Sequence, residues 1–143
     1  MPSFTHPTSL ASDKVSFVER FYSVSDGRDN EIYVSFLTDD VDFIMGLNSV
    51  KGAVAVREIR ENMWGGVQSR KHKPEYVLAS EDGKVLMIHG TVDYGLRNGK
   101  MVENVEWAAK MSFAEGDELK MKRYQDGTPL STALKEQAAE EAK

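Results

Sequence analysis

Three glycine-containing turn signals divide the second half of the chain and leave it little choice of fold. Asp82-Gly83, Asn98-Gly99 and Glu115-Gly116-Asp117 separate four strand-like runs: KPEYVLAS, KVLMIHGTVDYGL, KMVENVEWAAKMSF and ELKMKRYQ. Asn-Gly and Asp-Gly accept the positive φ that a tight hairpin needs, so the last three runs read as an antiparallel meander. A two-residue loop at Asn98-Gly99 sets a register. It places Leu96 opposite Met101, Tyr94 opposite Glu103, Val92 opposite Val105, Gly90 opposite Trp107, Ile88 opposite Ala109 and Leu86 opposite Met111. That face is apolar apart from one carboxylate. The reverse face carries Met87, His89 and Asp93 with Val102, Glu106, Ala108 and Lys110, and a slip of one residue would bury its charges.

The first half has a helical period instead. Val15, Val18 and Tyr22 form a stripe, widened by Phe17, Phe21 and Val24, and Asp26-Gly27 ends that helix. Ile32, Tyr33, Phe36 and Leu37 suit a second short helix stopped by Thr38-Asp39-Asp40. VDFIMG then alternates Val41, Phe43 and Met45 as a first strand, with residues 46–52 as a turn or short return strand. Residues 53–64 turn helical again. Val56, Ile59 and Met63 share a face there, Arg57, Glu58, Arg60 and Glu61 lie mostly away from it, and Gly65-Gly66 closes the helix. The order α-α-β-α-β-β-β-β predicts an α+β fold: a strongly curved, cone-shaped antiparallel sheet with three helices packed on its concave face. Residues 1–12 read as a mobile arm, 13–130 as the domain, and 131–143 as a helix-prone tail with few apolar anchors.

Composition narrows the function classes. A chain of 143 residues with 41% hydrophobic content fits one domain, and no apolar run approaches the ~18 residues of a membrane span. The opening MPSFTHPTSLAS has no basic or apolar signal region, so a cytoplasmic protein is expected. The absence of cysteine excludes disulfides, thiolate metal sites and a cysteine nucleophile. A net charge of -5 argues against nucleic acid, and RKHK at residues 70–73 reads as a solvated lead-in to a strand. His72 and His89 make no metal pair with nearby carboxylates, and no nucleotide or serine-nucleophile motif is present, so neither metal nor cofactor is expected.

Several strings in this order resemble the nuclear-transport-factor-2-like superfamily, within it the SnoaL-like branch named after a polyketide cyclase. They are SFVERFYSVSDGRD, FLTDDVDFIMG, KGAVAVREIRENMW, the HGTVDYGLRNGKMVENVEWAAKM hairpin and the closing RYQDGTPL, together spanning residues 13–130. The resemblance implies a cone, dimerisation through the outer sheet face, and a pocket used by isomerases, dehydratases, epoxide hydrolases and polyketide cyclases. It also implies an acid and a histidine within the cavity. His89, the nearest strand histidine, falls on the outer face in the register above.

The candidate site follows from that register. Glu103 beside Tyr94 on the concave wall is the expected catalytic pair, the carboxylate removing a proton next to a carbonyl and the phenol donating to the enolate. The bland alternative is a rim carboxylate held by Tyr94 or water. Asp42 joins them only if Asp42, Ile44 and Gly46 face inward, against the more apolar parity of Val41, Phe43 and Met45. Tyr22, Trp64, Trp107 and Met121 are expected pocket walls or core. Arg123 binds an anionic group if a three-residue loop sets the last hairpin, whereas a bulge turns Lys120, Lys122 and Tyr124 inward. Asp126, in QDGTPL, reads as a turn residue. The expected function is cofactor-independent acid-base chemistry, of the isomerase, cyclase or dehydratase type, on a small apolar carbonyl or polyketide-like compound. The alternative is a non-catalytic ligand-binding or dimerising protein of the same fold.

Overall fold

Residues 4–127 are described by a computed structural model. The expectation for the tail at 131–143 lies outside them. The elements are α1 Ser12–Ser25, α2 Asn30–Val34, β1 Leu37–Met45, β2 Asn48–Lys51, α3 Ala53–Met63, β3 Val67–Ala79, β4 Val85–Leu96, β5 Met101–Phe113 and β6 Met121–Asp126. One open six-stranded sheet runs β2-β1-β6-β5-β4-β3. The α+β architecture is the expected one, with a single departure in the sheet: β1 and β6 pair in parallel, and every other neighbouring pair is antiparallel.

Two element boundaries move for packing reasons. α2 stops at Val34, and Leu37, Thr38, Asp39 and Asp40 are strand rather than helix end, because Leu37 pairs with Met121 of β6. β3 starts at Val67, so the basic run at 70–73 lies inside a strand, with Arg70 opposite Tyr94 and His72 opposite Val92. The described part of the amino-terminal arm, from residue 4, lies against the domain. Phe4 and Leu10 are buried, and Thr5 exchanges backbone bonds with Glu75 and Val77 at 2.9 Å each, covering part of the otherwise open β3 edge.

The bend of the sheet has a local cause. β3 bulges between Pro74 and Tyr76, where proline supplies no amide hydrogen, and β4 answers with Gly90 directly opposite. A Cβ on Gly90 would lie 2.5 Å from the Lys73 carbonyl oxygen and 2.8 Å from Pro74 Cα. Only glycine lets the two backbones approach so closely.

Helices fill the concavity with aromatic rings. Phe17 meets Phe36 and Phe113 at 5.1 and 5.2 Å, and Phe21 meets Tyr33 and Tyr124 at 5.0 and 5.2 Å. Such ring contacts, edge-on except for the tilted Phe21–Tyr33 pair, add to the large apolar area each ring removes from water. Arg60 departs from expectation, since it is fully buried rather than turned to solvent. Its guanidinium donates to Asn30 Oδ1 at 2.9 Å, to the Ser25 carbonyl at 3.1 Å and to the Gly27 carbonyl at 3.0 Å, and it lies 3.9 Å from the Tyr33 ring centre. These bonds tie α3 to the α1–α2 connection. Burial lowers the Arg60 pKa to about 10, so it remains a cation.

The β4–β5 hairpin follows the expected register from Leu86–Met111 to Val92–Val105 and then leaves it. The connecting loop holds three residues, 97–99: Leu96 donates to the Lys100 carbonyl at 2.8 Å, and Gly99 takes a φ of 86°. The extra residue shifts the pairing by one, placing Tyr94 opposite Val102. A bulge restores the phase, with Glu103 and Asn104 both opposite Asp93 and Asn104 in the left-handed region at φ 56°. Asp93 pins it, accepting from the Asn104 amide at 2.9 Å and pairing with Lys73 at 3.0 Å.

Gly90→Ala forces Lys73 and Pro74 backbone atoms to move, and we expect a loss of roughly 1–3 kcal/mol in urea unfolding. A variant as stable as the parent would show that the approach does not shape the sheet.

Candidate functional site

The concave side carries an acid, though not the expected one. β6 sends Met121, Tyr124 and Asp126 inward, with Tyr124 opposite Met111 and Asp126 opposite Ala109. Asp126 is 8% exposed, and its Oδ1 has no hydrogen-bond partner. Burial pushes its pKa up to about 7, and the Gly127 amide, Arg70 and Tyr124 offset only part of that. A carboxyl group half-ionised near neutrality can both take and return a proton.

Phenols surround this acid. The Tyr22 and Tyr124 hydroxyls are 3.0 Å apart. Burial, and next the Asp126 charge, raises the pKa of Tyr22, Tyr94 and Tyr124. Tyr33 rises to about 12, again through burial, with Arg60 opposing. All four therefore stay protonated at neutral pH, as neutral hydrogen-bond donors.

A histidine-acid pair completes the polar interior. Asp26, which caps the end of α1, accepts from the His72 backbone amide at 2.9 Å and meets His72 Nδ1 at 2.6 Å. The His72 ring lies among Tyr22 and Trp107 at 5.4 and 5.3 Å, and its burial lowers its pKa despite Asp26. A neutral imidazole whose Nδ1 is held by a carboxylate leaves Nε2 as the reactive nitrogen. A cleft of about 270 Å³, lined by Phe4, Glu19, Tyr22, Asp26, His72 and Pro74 among others, reaches this pair from outside.

Arg70 faces the same interior and is 7% exposed. Its guanidinium carbon lies over the Trp64 ring at 4.7 Å, with that of Arg28 over the same indole at 4.1 Å. Among the described residues it forms no ion pair, and its Nε and Nη2 have no hydrogen-bond partner.

The expected residues divide cleanly. Tyr94 is buried on the inner face, and Tyr22, Trp64, Trp107 and Met121 are buried there too. Glu103 is exposed: the three-residue loop and the bulge give its inward place to Val102, which packs against the core. Asp42 is exposed and pairs with Lys51 at 3.3 Å, since Val41 and Phe43 take the inner face. Arg123 is exposed opposite Ser112, because a bulge between Ser112 and Phe113 hands the inward position to Tyr124.

Asp126 was missed, yet its alternation with Tyr124 in one strand was a readable signal once Gly127 is taken as the turn. Nothing local joins Asp26 to His72, which are 46 positions apart. Among the described residues no three acidic or imidazole groups gather as a metal site, and no helix is long and apolar enough to cross a membrane.

No family model matches the sequence, and no curated protein matches it either. Solved structures do match the fold. A nuclear-transport-factor-2-like protein of unknown function from Burkholderia pseudomallei superposes with a TM-score of 0.75 at 15% identity, over 87% of this chain and 97% of that one. A protein from Jannaschia sp., provisionally described as a SnoaL-like polyketide cyclase, gives 0.70 at 16% identity over 90% and 93%. TerC, co-crystallised with polyporic acid, gives 0.72 at 16% identity over 87% and 97%. The chain thus has the nuclear-transport-factor-2-like fold, in the form also found among SnoaL-like proteins.

Asp126 makes stability depend on pH in a definite direction. Its pKa is about 7 when folded against an ordinary 3.8, so between those values the folded state holds a proton that the unfolded state has lost. Stability is then full below 3.8 and falls as pH rises towards 7, by up to about 4 kcal/mol. We expect Asp126→Asn to melt close to the parent at pH 4 and well above it at pH 8. Equal melting temperatures at pH 8 would place the carboxylate in water.

Proposed function

We propose that the protein is a cofactor-independent acid-base catalyst acting on a small carbonyl compound of polyketide-like character, with Asp126 as the proton-transfer group. The observation that carries this is the buried Asp126 carboxyl, unpartnered at Oδ1, among protonated phenols on the concave face. Asp126 takes a proton from carbon next to the carbonyl. The electron pair moves onto the carbonyl oxygen, where Tyr94 donates a hydrogen bond, and the proton returns from Asp126 at another atom. Isomerisation needs no more than this. In a cyclisation the enolate carbon attacks a second carbonyl of the same molecule, and its new alkoxide takes the proton. Glu103, Asp42 and Arg123 have no part in this scheme. That TerC, a neighbour in fold, is co-crystallised with polyporic acid supports a small organic ligand for this chain.

Solvent-deuterium exchange at the α-carbon of a panel of aryl ketones tests the assignment. We expect exchange above background, lost by about 10²–10⁴-fold in Asp126→Asn, weakened in Tyr94→Phe and unchanged in Glu103→Gln. Full exchange in Asp126→Asn removes the proposed base.

A second reading concerns assembly, and it rests on exposed apolar side chains of the outer face. Tyr76 and Leu78 of β3 and Met87 of β4 are each about half exposed or more, with Leu78 opposite Met87. We propose that this patch pairs two copies of the chain. Sedimentation should give a dimer, and Leu78→Glu with Met87→Glu a monomer. A monomeric parent at high micromolar concentration overturns the pairing.

A further inference from the structure

Two arginines lie buried in this interior, and only one is satisfied. Arg60 donates to Asn30, Ser25 and Gly27 and rests on Tyr33. Arg70, 7% exposed, has neither a hydrogen-bond partner at Nε and Nη2 nor an ion pair among the described residues. A buried cation left in that condition is costly, because it has given up water without receiving acceptors in exchange.

The atoms that lack partners are informative. Nε and Nη2 share one edge of the guanidinium plane, the edge whose two parallel N–H bonds match the two oxygens of a carboxylate, or one oxyanion between them. The Arg70 guanidinium carbon lies 4.7 Å from the centre of the Trp64 ring, and the two atoms of this edge are buried with no acceptor opposite them. The Trp64 indole Nε1 is a further buried donor without a partner. Asp126 and Asp26 are near enough to act on Arg70 electrostatically, yet neither forms an ion pair with it. Arg60 has its own acceptors and Asp26 is already bound to His72, so neither supplies a partner for this edge of Arg70. An acceptor is wanting.

We propose that Arg70 binds an acidic substrate, taking a carboxylate or the oxyanion of an acidic enol on its Nε and Nη2 edge, with Trp64 packed against the guanidinium. This narrows the reading of Asp126 as a base from small carbonyl compounds in general to those bearing an ionised oxygen, and it rests on that reading for the reaction alone. The bound anion lies in the interior that also holds Asp126, and the charge that develops on oxygen is met by a cation as well as by the phenols.

Calorimetric titration at pH 6 with two matched pairs of probes tests it. One pair is 3-hydroxy-2-naphthoate and 3-hydroxy-2-naphthamide; the other is 2-hydroxy-1,4-naphthoquinone and its neutral 2-methoxy ether. In the parent protein we expect at least one acid to bind about 10–100-fold more tightly than its neutral partner, as two charge-assisted hydrogen bonds allow. The pair with the larger ratio assigns a carboxylate or an enolate. Arg70→Gln should bring acid and neutral probe to within about 2-fold, and Arg70→Lys, which keeps the charge without the fork, should retain only a minor part of the preference. If Arg70→Gln does not fold, the parent ratio and Arg70→Lys still decide. Equal binding of acid and neutral probes, a preference that survives in Arg70→Gln, or no probe binding with ordered water on the edge of Arg70 would each overturn the proposal. None of these readings involves turnover. An acid preference with unimpaired exchange in Asp126→Asn would therefore leave Arg70 as a binding residue and remove only the base.

Discussion

The concave face depends on one close approach of two backbones. Where β3 bulges at Pro74 and β4 has no side chain at Gly90, the strands come nearer than any Cβ would permit. An extended flat sheet would offer helices a plane. The bent one offers a hollow, and Phe17, Phe21, Tyr33 and Phe36 fill much of it with rings in edge or tilted contact. The same bend brings the start of β3 over α1, which is how His72 reaches Asp26 and how the docked arm reaches Glu75 and Val77. Sequence-local propensity sets the elements here. The bend decides which of them share an interior.

That interior treats its polar groups in two ways. Arg60 and the His72–Asp26 pair are buried with partners at 2.6 to 3.1 Å, as buried polar groups normally are. Asp126 Oδ1, Arg70 Nε and Nη2, and Trp64 Nε1 are buried without them. The first set serves the fold, fixing α3 to the α1–α2 connection and α1 to β3. The second set weakens the fold, since each desolvated group without a partner costs roughly 1–3 kcal/mol. Groups of that kind persist where they meet something other than the chain itself.

How far the sequence could be read follows from where its signals were local. Alternation and turn residues placed the meander and its register from Leu86–Met111 to Val92–Val105, because a slip there would exchange apolar for charged side chains. Beyond Asp93 the register rested on the loop alone, and Asn-Gly is compatible with two or three loop residues. One added residue was enough to put Val102, not Glu103, opposite Tyr94. The same ambiguity governed β6, where a bulge turned Tyr124 inward and Arg123 outward. Asp126 was hidden by composition, as Asp-Gly before a proline reads as a turn when the strand in fact runs through Asp126. The buried Arg60 and the pairing of Asp26 with His72 depend on contacts between distant segments, which no periodicity encodes.

The exchange of Glu103 for Asp126 also alters the chemistry available. Glu103 is exposed to water, where a carboxylate is well solvated and poorly placed to take a proton from carbon. A carboxyl group whose pKa burial pushes up to about 7 binds a proton far more strongly and can still ionise near neutrality. Its phenol neighbours cannot replace it, since the burial that strengthens the acid also holds Tyr22, Tyr94 and Tyr124 in their protonated forms. Proton transfer and hydrogen-bond donation are thereby assigned to different residues by one cause, the loss of water from the concave face. Arg70 belongs to the same environment but keeps its charge, because a guanidinium gives up its proton only far above neutrality. A base, neutral donors and a fixed cation are thus set by a single dry surface, and moving any of them into water would weaken the base and release the donors to solvent.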